Sequence, residues 1–256
     1  MGERKLGGEQ EILVGQVALD VLAIAPHPDD AEIGAGGTLA QHVARGYRVG
    51  ICDLTRGELG TNGTAAERLA EAEEAAKVLG LAWRGNLGLP DRGLQVHPDT
   101  VGRLALLLRQ LAPRVLLVPA VHDSHPDHQT ASRLCYEAVM TASLPRWQPD
   151  PGLALPCDPP PAHRPGQILY YFVDRPVDPS LLVDVSGFLP RKMEALRCHA
   201  SQFIYREGRT PTDLNDGHYL RRVEMQARYL GALVGREAAE PFLTSGPRVV
   251  TDLIGD

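Results

Sequence analysis

From residue 17 to residue 25 the chain is apolar at every position but one, Asp20. A run of that length without polar alternation suits a strand buried on both faces, and such strands belong to parallel sheets covered by helices on either side. Residues 48–54 and 115–119 repeat the pattern. Each run leads through turn residues into a helical pattern, so the first half predicts successive βαβ units. The clearest helix start is Thr64-Ala65-Ala66-Glu67, where the threonine hydroxyl can cap the third helical amide while the glutamate reaches back. Gly80 stands where that helix should stop, which predicts a helix over 65–79. Pro98 opens another, with Val101, Leu104, Ala105, Leu108 and Leu111 spaced three and four apart and Pro113 beyond; its apolar stripe should pack on the sheet.

The second half is less regular. Eight prolines fall between 145 and 165, a density that forbids regular structure and predicts a surface excursion, read as a lid, a linker or an oligomer contact. Beyond it, 167–173 and 181–185 read as strands, 190–199 and 216–234 as helices. The expectation is one domain over 1–256, α/β and doubly wound, with a mostly parallel sheet in three layers, an elaborated C-terminal portion and a flexible tail at 1–12.

Composition narrows the class of function. With 256 residues, 43% of them hydrophobic and 23% charged, the chain can bury a large core and is neither disordered nor fibrous. Cys52, Cys135, Cys157 and Cys198 are scattered without a C-x-x-C pair, which argues against a disulfide framework or a cysteine zinc knot and fits a reducing cytoplasm. A formal charge of −6 gives no electrostatic reason to bind nucleic acid or an anionic membrane. Apolar runs fall far short of the roughly 20 residues that span a bilayer, and the polar first residues lack a signal-peptide core. A small molecule is the expected partner.

Chemistry concentrates at two places. The first strand runs into His27-Pro28-Asp29-Asp30, and the strand ending near Pro119, counted fourth, runs into His122-Asp123-Ser124-His125-Pro126-Asp127-His128. Taken singly, these aspartates read as helix caps and these histidines as satisfied surface or core residues. Together they put imidazoles and carboxylates at the carboxyl edge of one parallel sheet, where such folds bind ligands, and crowding them there is costly unless a cation compensates. Imidazole nitrogen and carboxylate oxygen without thiolate suit a divalent ion held by three protein ligands with a position open to water. An ion so held can lower the pKa of water to about 7 and polarise a carbonyl, which makes hydrolysis the natural reaction. The reaction also needs a base and a hydrogen-bond donor that do not ligate the metal; Asp29 and His125 are the spare groups.

The stretches APHPDDAEIG at 25–34 and SHPDH at 124–128 closely resemble the N-acetylglucosaminyl deacetylase family typified by LmbE-like and PIG-L-like proteins. Similarity continues through CDLTRGELGTNGT at 52–64, Glu67-Arg68, NLGLPDRG at 86–93 and Ser201-Gln202-Phe203, so it covers nearly the whole chain. Within the family the chain looks most like the bacillithiol-pathway branch, which removes acetate from N-acetylglucosaminyl malate. The resemblance implies a Rossmann-like fold and His27, Asp30 and His128 as ligands of one zinc per subunit, with another divalent metal such as Fe2+ as the alternative. It implies Asp29 as general base, His125 as oxyanion stabiliser and proton donor to the amine, and Asp127 as the group that orients His125 or fixes its charge. It implies Arg68 near the substrate, and a homo-oligomer, hexameric in some close relatives. Ser124 and Asn62 stand where that branch often carries arginine, which leaves the aglycone open.

Weaker signals complete the reading. Gly34-Ala35-Gly36-Gly37 fails the dinucleotide fingerprint at Leu39 and is expected instead to bring the first helix close to the sheet. Residues 55–64, with Glu58 and Asn62, read as a loop able to close over a sugar. His199, Gln202 and Tyr219 are candidates for the sugar pocket, with a helix-end role as the plainer account of His199. The neighbouring readings are an amidase acting on thiol conjugates of the same sugar and a deacetylase of another N-acetylglucosaminide. From other classes come a metal-binding or sugar-binding protein without turnover and a di-metal phosphoesterase, the latter disfavoured because the ligands suit one ion.

Overall fold

The computed structural model describes residues 18–150, 160–174, 176, 178–244 and 246. Strand β1 (Val21–Ala25) is buried throughout. Its side chains alternate between two cores: Val21, Ala23 and Ala25 join one apolar cluster, Leu22 and Ile24 the other. A strand sandwiched in this way has no polar face, which is why it reads as an unbroken run. Just before it, the Asp20 carboxylate accepts the Arg48 amide and pairs with Arg114.

Strands β2 (Val49–Thr55), β3 (Trp83–Leu89), β4 (Val115–Pro119) and β5 (Gln167–Tyr171) continue the parallel sheet. Helices α1 (Asp30–Ala44), α2 (Ala65–Leu79), α3 (Pro98–Leu111) and α4 (Pro126–Ala142) follow the first four strands. The chain ends its described course through β6 (Leu181–Asp184), α5 (Leu189–Cys198), α6 (Ala200–Phe203), α7 (His218–Leu233) and β7 (Ala239–Thr244). Sheet order is β3-β2-β1-β4-β5-β7-β6, with β7 antiparallel to both neighbours. Side chains of α1, α2, α5 and α7 fill one core, those of α3 and α4 the other. The architecture is the doubly wound, three-layer α/β fold expected, and its antiparallel end is the elaborated C-terminal portion. Among the described residues no helix is long and apolar enough to cross a membrane.

Thr64 caps α2 through its hydroxyl, which accepts the Glu67 amide at 3.1 Å, and Gly80 ends the helix at φ 75. The Glu67 carboxylate does not reach back; it pairs with Arg209. Close packing explains the glycines of α1: a Cβ on Gly34 would stand 2.2 Å from Cδ2 of Tyr171. On the same helix a buried ion pair is inserted, with Glu240 of β7 accepting the amides of Gly37 and Thr38 at 2.9 and 2.7 Å. Lys192 of α5 donates to Glu240 at 2.6 Å and to the Ile33 carbonyl at 2.7 Å. Every charge there has hydrogen-bond partners, the condition under which a buried pair is tolerated.

Strand β7 had no signal in the sequence, because Glu240 and Pro241 interrupt its apolar pattern and proline is uncommon in an interior strand. The proline-rich excursion is stapled down where it is described. Arg109 of α3, 5% exposed, donates to the carbonyls of Ala142, Leu144, Trp147 and Pro160. Its central residues 151–159 and the expected tail at 1–12 lie outside the described residues.

Candidate metal centre and active site

Strands β1 and β4 lie side by side at the centre of the sheet. The helices that follow them pack on opposite faces, so a crevice opens at their carboxyl ends, the switch point where doubly wound sheets take ligands. His27 lies in the short turn between β1 and α1; Asp29 occupies the N-cap position of α1, and Asp30 begins it. His125 is the N-cap of α4, with Asp127 and His128 in its first turn.

Asp30 Oδ2 lies 3.1 Å from His27 Nδ1 and 3.3 Å from His128 Nε2. Donors arranged tetrahedrally around a zinc ion, with bonds near 2.0–2.1 Å, are separated by about 3.3 Å. Among the described residues, two triplets offer donor atoms mutually within 4.8 Å: His27 with His125 and His128, and His27 with Asp91 and Asp127. His27 and His128 can therefore share one ion. Asp30 is in neither triplet and sits instead between the two imidazoles. The site suits a divalent cation: the three imidazoles bring their donors together, and Asp30 contacts His27 and His128 one by one.

Carboxylates also stand behind the imidazoles. His27 Nε2 is 3.2 Å from Asp91 Oδ1 and 3.4 Å from Asp127 Oδ2. His128 Nδ1 lies 3.0 Å from Asp123 Oδ1, within ion-pair reach but out of line for a full hydrogen bond. Such partners orient the ring and raise the basicity of the nitrogen that faces a metal.

Asp29 has φ 129, a conformation side chains rarely adopt, and its carboxylate makes no cap hydrogen bond. The carboxylate is instead turned to Arg68, whose Nη2 donates to it at 3.2 Å and to the Pro28 carbonyl at 2.9 Å. Strain held at one such residue is a mark of a working position. Burial raises the Asp29 carboxyl to about 6, against the pull of Arg68, which suits a base near neutral pH.

His125 Nδ1 accepts the Asp127 amide at 3.2 Å, so its neutral form carries the proton on Nε2. Burial, with His128 and His27 close by, holds its pKa below the usual imidazole range. Asp127 fixes this ring through its amide. The Asp127 carboxylate is turned elsewhere, to the Arg92 amide at 2.7 Å and to His27.

A cavity of about 360 Å³ opens over these groups. Of the residues expected to touch substrate, Arg68, Gln202 and Tyr219 line it; Glu58, Asn62 and His199 do not. Glu58 accepts the Asp91 amide at 2.8 Å. Asn62 is clamped by Thr210 and Gln202. His199 is fully buried, 3.0 Å from Glu32. Asp91, Asp123, Leu59 and Arg222 also line the cavity and had no role in the sequence reading. Asp123 stood inside the second histidine cluster and Asp91 in the NLGLPDRG stretch, but only their placement beside an imidazole distinguishes them from turn residues.

Residues 22–139 match the family model "PIG-L: GlcNAc-PI de-N-acetylase". The chain is 32% identical over 232 residues to diacetylchitobiose deacetylase of Thermococcus kodakarensis, covering 86% of this chain and 80% of that protein. It is 25% identical to the probable N-acetyl-alpha-D-glucosaminyl L-malate deacetylase 2 of Bacillus anthracis, over 77% and 87% of the two chains. The crystal structure of a conserved protein from Thermus thermophilus superposes with a TM-score of 0.80 at 40% identity, covering 92% of this chain and 98% of that one. Two facing His-Asp motifs at the switch point of such a sheet, with similarity over most of the chain, place it in the PIG-L/LmbE family of N-acetylglucosamine-type deacetylases, hydrolases of an amide bond.

Proposed function

We propose that the chain releases acetate from an N-acetylglucosaminyl conjugate with an acidic aglycone, N-acetylglucosaminyl malate being the first candidate. The observation that carries the hydrolytic part is the contact of Asp30 Oδ2 with both His27 and His128, beside a strained, uncapping Asp29. His27, Asp30 and His128 are the proposed ligands of one zinc ion, which when bound supplies Lewis-acid polarisation of the acetamide carbonyl.

The chain's own groups divide the remaining work. Asp29 takes the proton of the attacking water while Arg68 holds its carboxylate in place. His125 hydrogen-bonds the oxygen of the former carbonyl through Nε2–H, the tautomer set by the Asp127 amide. His125, the expected proton donor to the amine, keeps its one neutral-form proton on Nε2 for the oxyanion. As the C–N bond breaks, the proton taken up by Asp29 therefore goes to the departing amine, leaving the free amino sugar and acetic acid, which ionises to acetate. Gln202 and Tyr219 border the sugar.

The acidic aglycone is supported by Arg222 and Arg92, both exposed and both lining the cavity; Arg222 stacks on Tyr219 at 4.8 Å. Arg68 is not available for that carboxylate, being committed to Asp29 and two carbonyls. A second reading, a neutral N-acetylglucosamine disaccharide, is favoured by the higher identity to the chitobiose deacetylase. Acetate release from N-acetylglucosaminyl malate and from N,N'-diacetylchitobiose, each before and after metal removal, tests both. Preference for the malate conjugate, lost on Arg222→Ala, is the expected outcome; preference for chitobiose would overturn the acidic aglycone, and no metal-dependent release from either would count against the hydrolase itself. A homo-oligomer belongs to the same proposal, supported by the exposed row of Met225, Tyr229 and Leu233 along α7, and sedimentation of the purified chain tests it.

A further inference from the structure

Residues 56–64, the loop between β2 and α2, are held at both flanks by groups other than the proposed metal ligands. Near its start, Arg68 Nη1 donates to the Gly57 carbonyl at 3.0 Å, and a Cβ on Gly57 would overlap that guanidinium at 1.9 Å. Near its end, Asn62 exchanges hydrogen bonds with Thr210, and its carbonyl accepts Gln202 Nε2 at 2.7 Å. Between the flanks lie Glu58 and Leu59, and Leu59 lines the cavity while remaining 66% exposed. The anchors of this middle segment meet at one residue. Asp91 Oδ2 accepts the Leu59 amide at 2.9 Å, and the Asp91 amide donates to Glu58 Oε1 at 2.8 Å. The other carboxylate oxygen, Oδ1, is 3.2 Å from His27 Nε2.

We propose that Asp91 is a positioning residue that couples the loop over the cavity to His27, so that the seating of Leu59 and the orientation of the imidazole are set together. The proposal rests on the reading of His27 as a metal ligand. A carboxylate is planar and rigid, so a rotation that improves Oδ1 toward His27 also moves Oδ2 relative to Leu59. An imidazole that ligates a metal through Nδ1 is a stronger donor at Nε2, which tightens its hold on Asp91 and through it on the loop. Coupling of this kind is reciprocal: a loop that loses its anchor must weaken metal binding by the same factor by which metal had steadied the loop. It also accounts for Glu58, which lies outside the cavity wall and acts on it through Asp91.

The test uses the full chain and Zn2+ alone as the probe. Amide hydrogen exchange is followed in peptides covering 58–60, and Zn2+ affinity is measured by competition with a chelator, in the unsubstituted protein, Asp91→Asn and His27→Ala. Zn2+ is expected to slow exchange at 58–60 in the unsubstituted protein. Asp91→Asn should exchange faster there without metal, show no slowing with it, and bind Zn2+ about tenfold to a hundredfold more weakly, the range for loss of a partner behind a metal-bound histidine. If His27→Ala loses Zn2+ while exchange at 58–60 ignores the metal in the unsubstituted protein, or if Asp91→Asn keeps full affinity, the coupling is wrong and the ligand assignment stands. If His27→Ala binds Zn2+ normally, the ligand assignment itself is wrong and the coupling goes with it. The exchange comparison in the unsubstituted protein needs no variant, so a poorly folding Asp91→Asn leaves the proposal open to refutation.

Discussion

Two clusters of buried charge lie close together at the first turn of α1 and behave in opposite ways. Behind the helix, Arg84 of β3 donates to Asp53 at 2.9 and 3.0 Å and pairs with Glu32 at 2.5 Å; His199 closes the group against Glu32 at 3.0 Å. There a guanidinium sits among carboxylates, and it pulls Glu32 well below the usual carboxylate range against the effect of burial. In front of the helix, His27, Asp29, Asp30, His125 and His128 share a cavity wall with Arg68 as the nearest permanent cation. Both clusters use the same residue types. In the rear cluster the guanidinium reaches both carboxylates, whereas in the front one Arg68 reaches Asp29 alone and Asp30 has the two imidazoles and the His27 amide beside it, an arrangement that suits a cation. Which carboxylates the guanidinium reaches, rather than the presence of histidine and aspartate, distinguishes the two clusters.

The contrast can be broken first at the front. His27→Ala, or removal of metal by a chelator, should abolish acetate release, with Zn2+ restoring it only to the unsubstituted protein; metal content and activity measured together check this. Asp29→Asn should lower kcat by about 10²–10⁴, the usual contribution of a general base, while metal content stays at one per chain. Equal loss of metal in that variant would move Asp29 into the ligand set. Metal analysis of Asp30→Ala beside His125→Ala decides between the two donor sets: the carboxylate set predicts loss only in the first. At the rear, Arg84→Met leaves two buried carboxylates without their cation and should cost about 3–5 kcal/mol in denaturant unfolding. A variant that unfolded as readily as the unsubstituted chain would show that this network is not compensated as described. The smallest effect belongs to the surface: Thr64→Ala removes the α2 cap and should cost about 1 kcal/mol, with metal binding unchanged.

How much of this was readable beforehand differs by element. The cap and the glycine stop placed α2, and the leucine spacing placed α3, because those signals lie within one helix. Strand β7 was silent because Glu240 owes its burial to Lys192, which lies 48 residues away. The two His-Asp motifs announced themselves by density. The partners behind them did not: nothing in the local pattern around Asp91 or Asp123 tells that each faces an imidazole, and His199 and Asn62 looked like pocket residues but are engaged behind its wall.

The sequence by itself determined the types of donor and the short strand-turn-helix segments that carry them, since backbone preference and apolar period are properties of neighbouring residues. Tertiary structure alone decided which carboxylate meets which imidazole. Parallel pairing of β1 with β4 brings His27 within reach of Asp127, 100 residues along the chain, and at such separations the contacts, and the charge balance that follows from them, exist only once the sheet has formed.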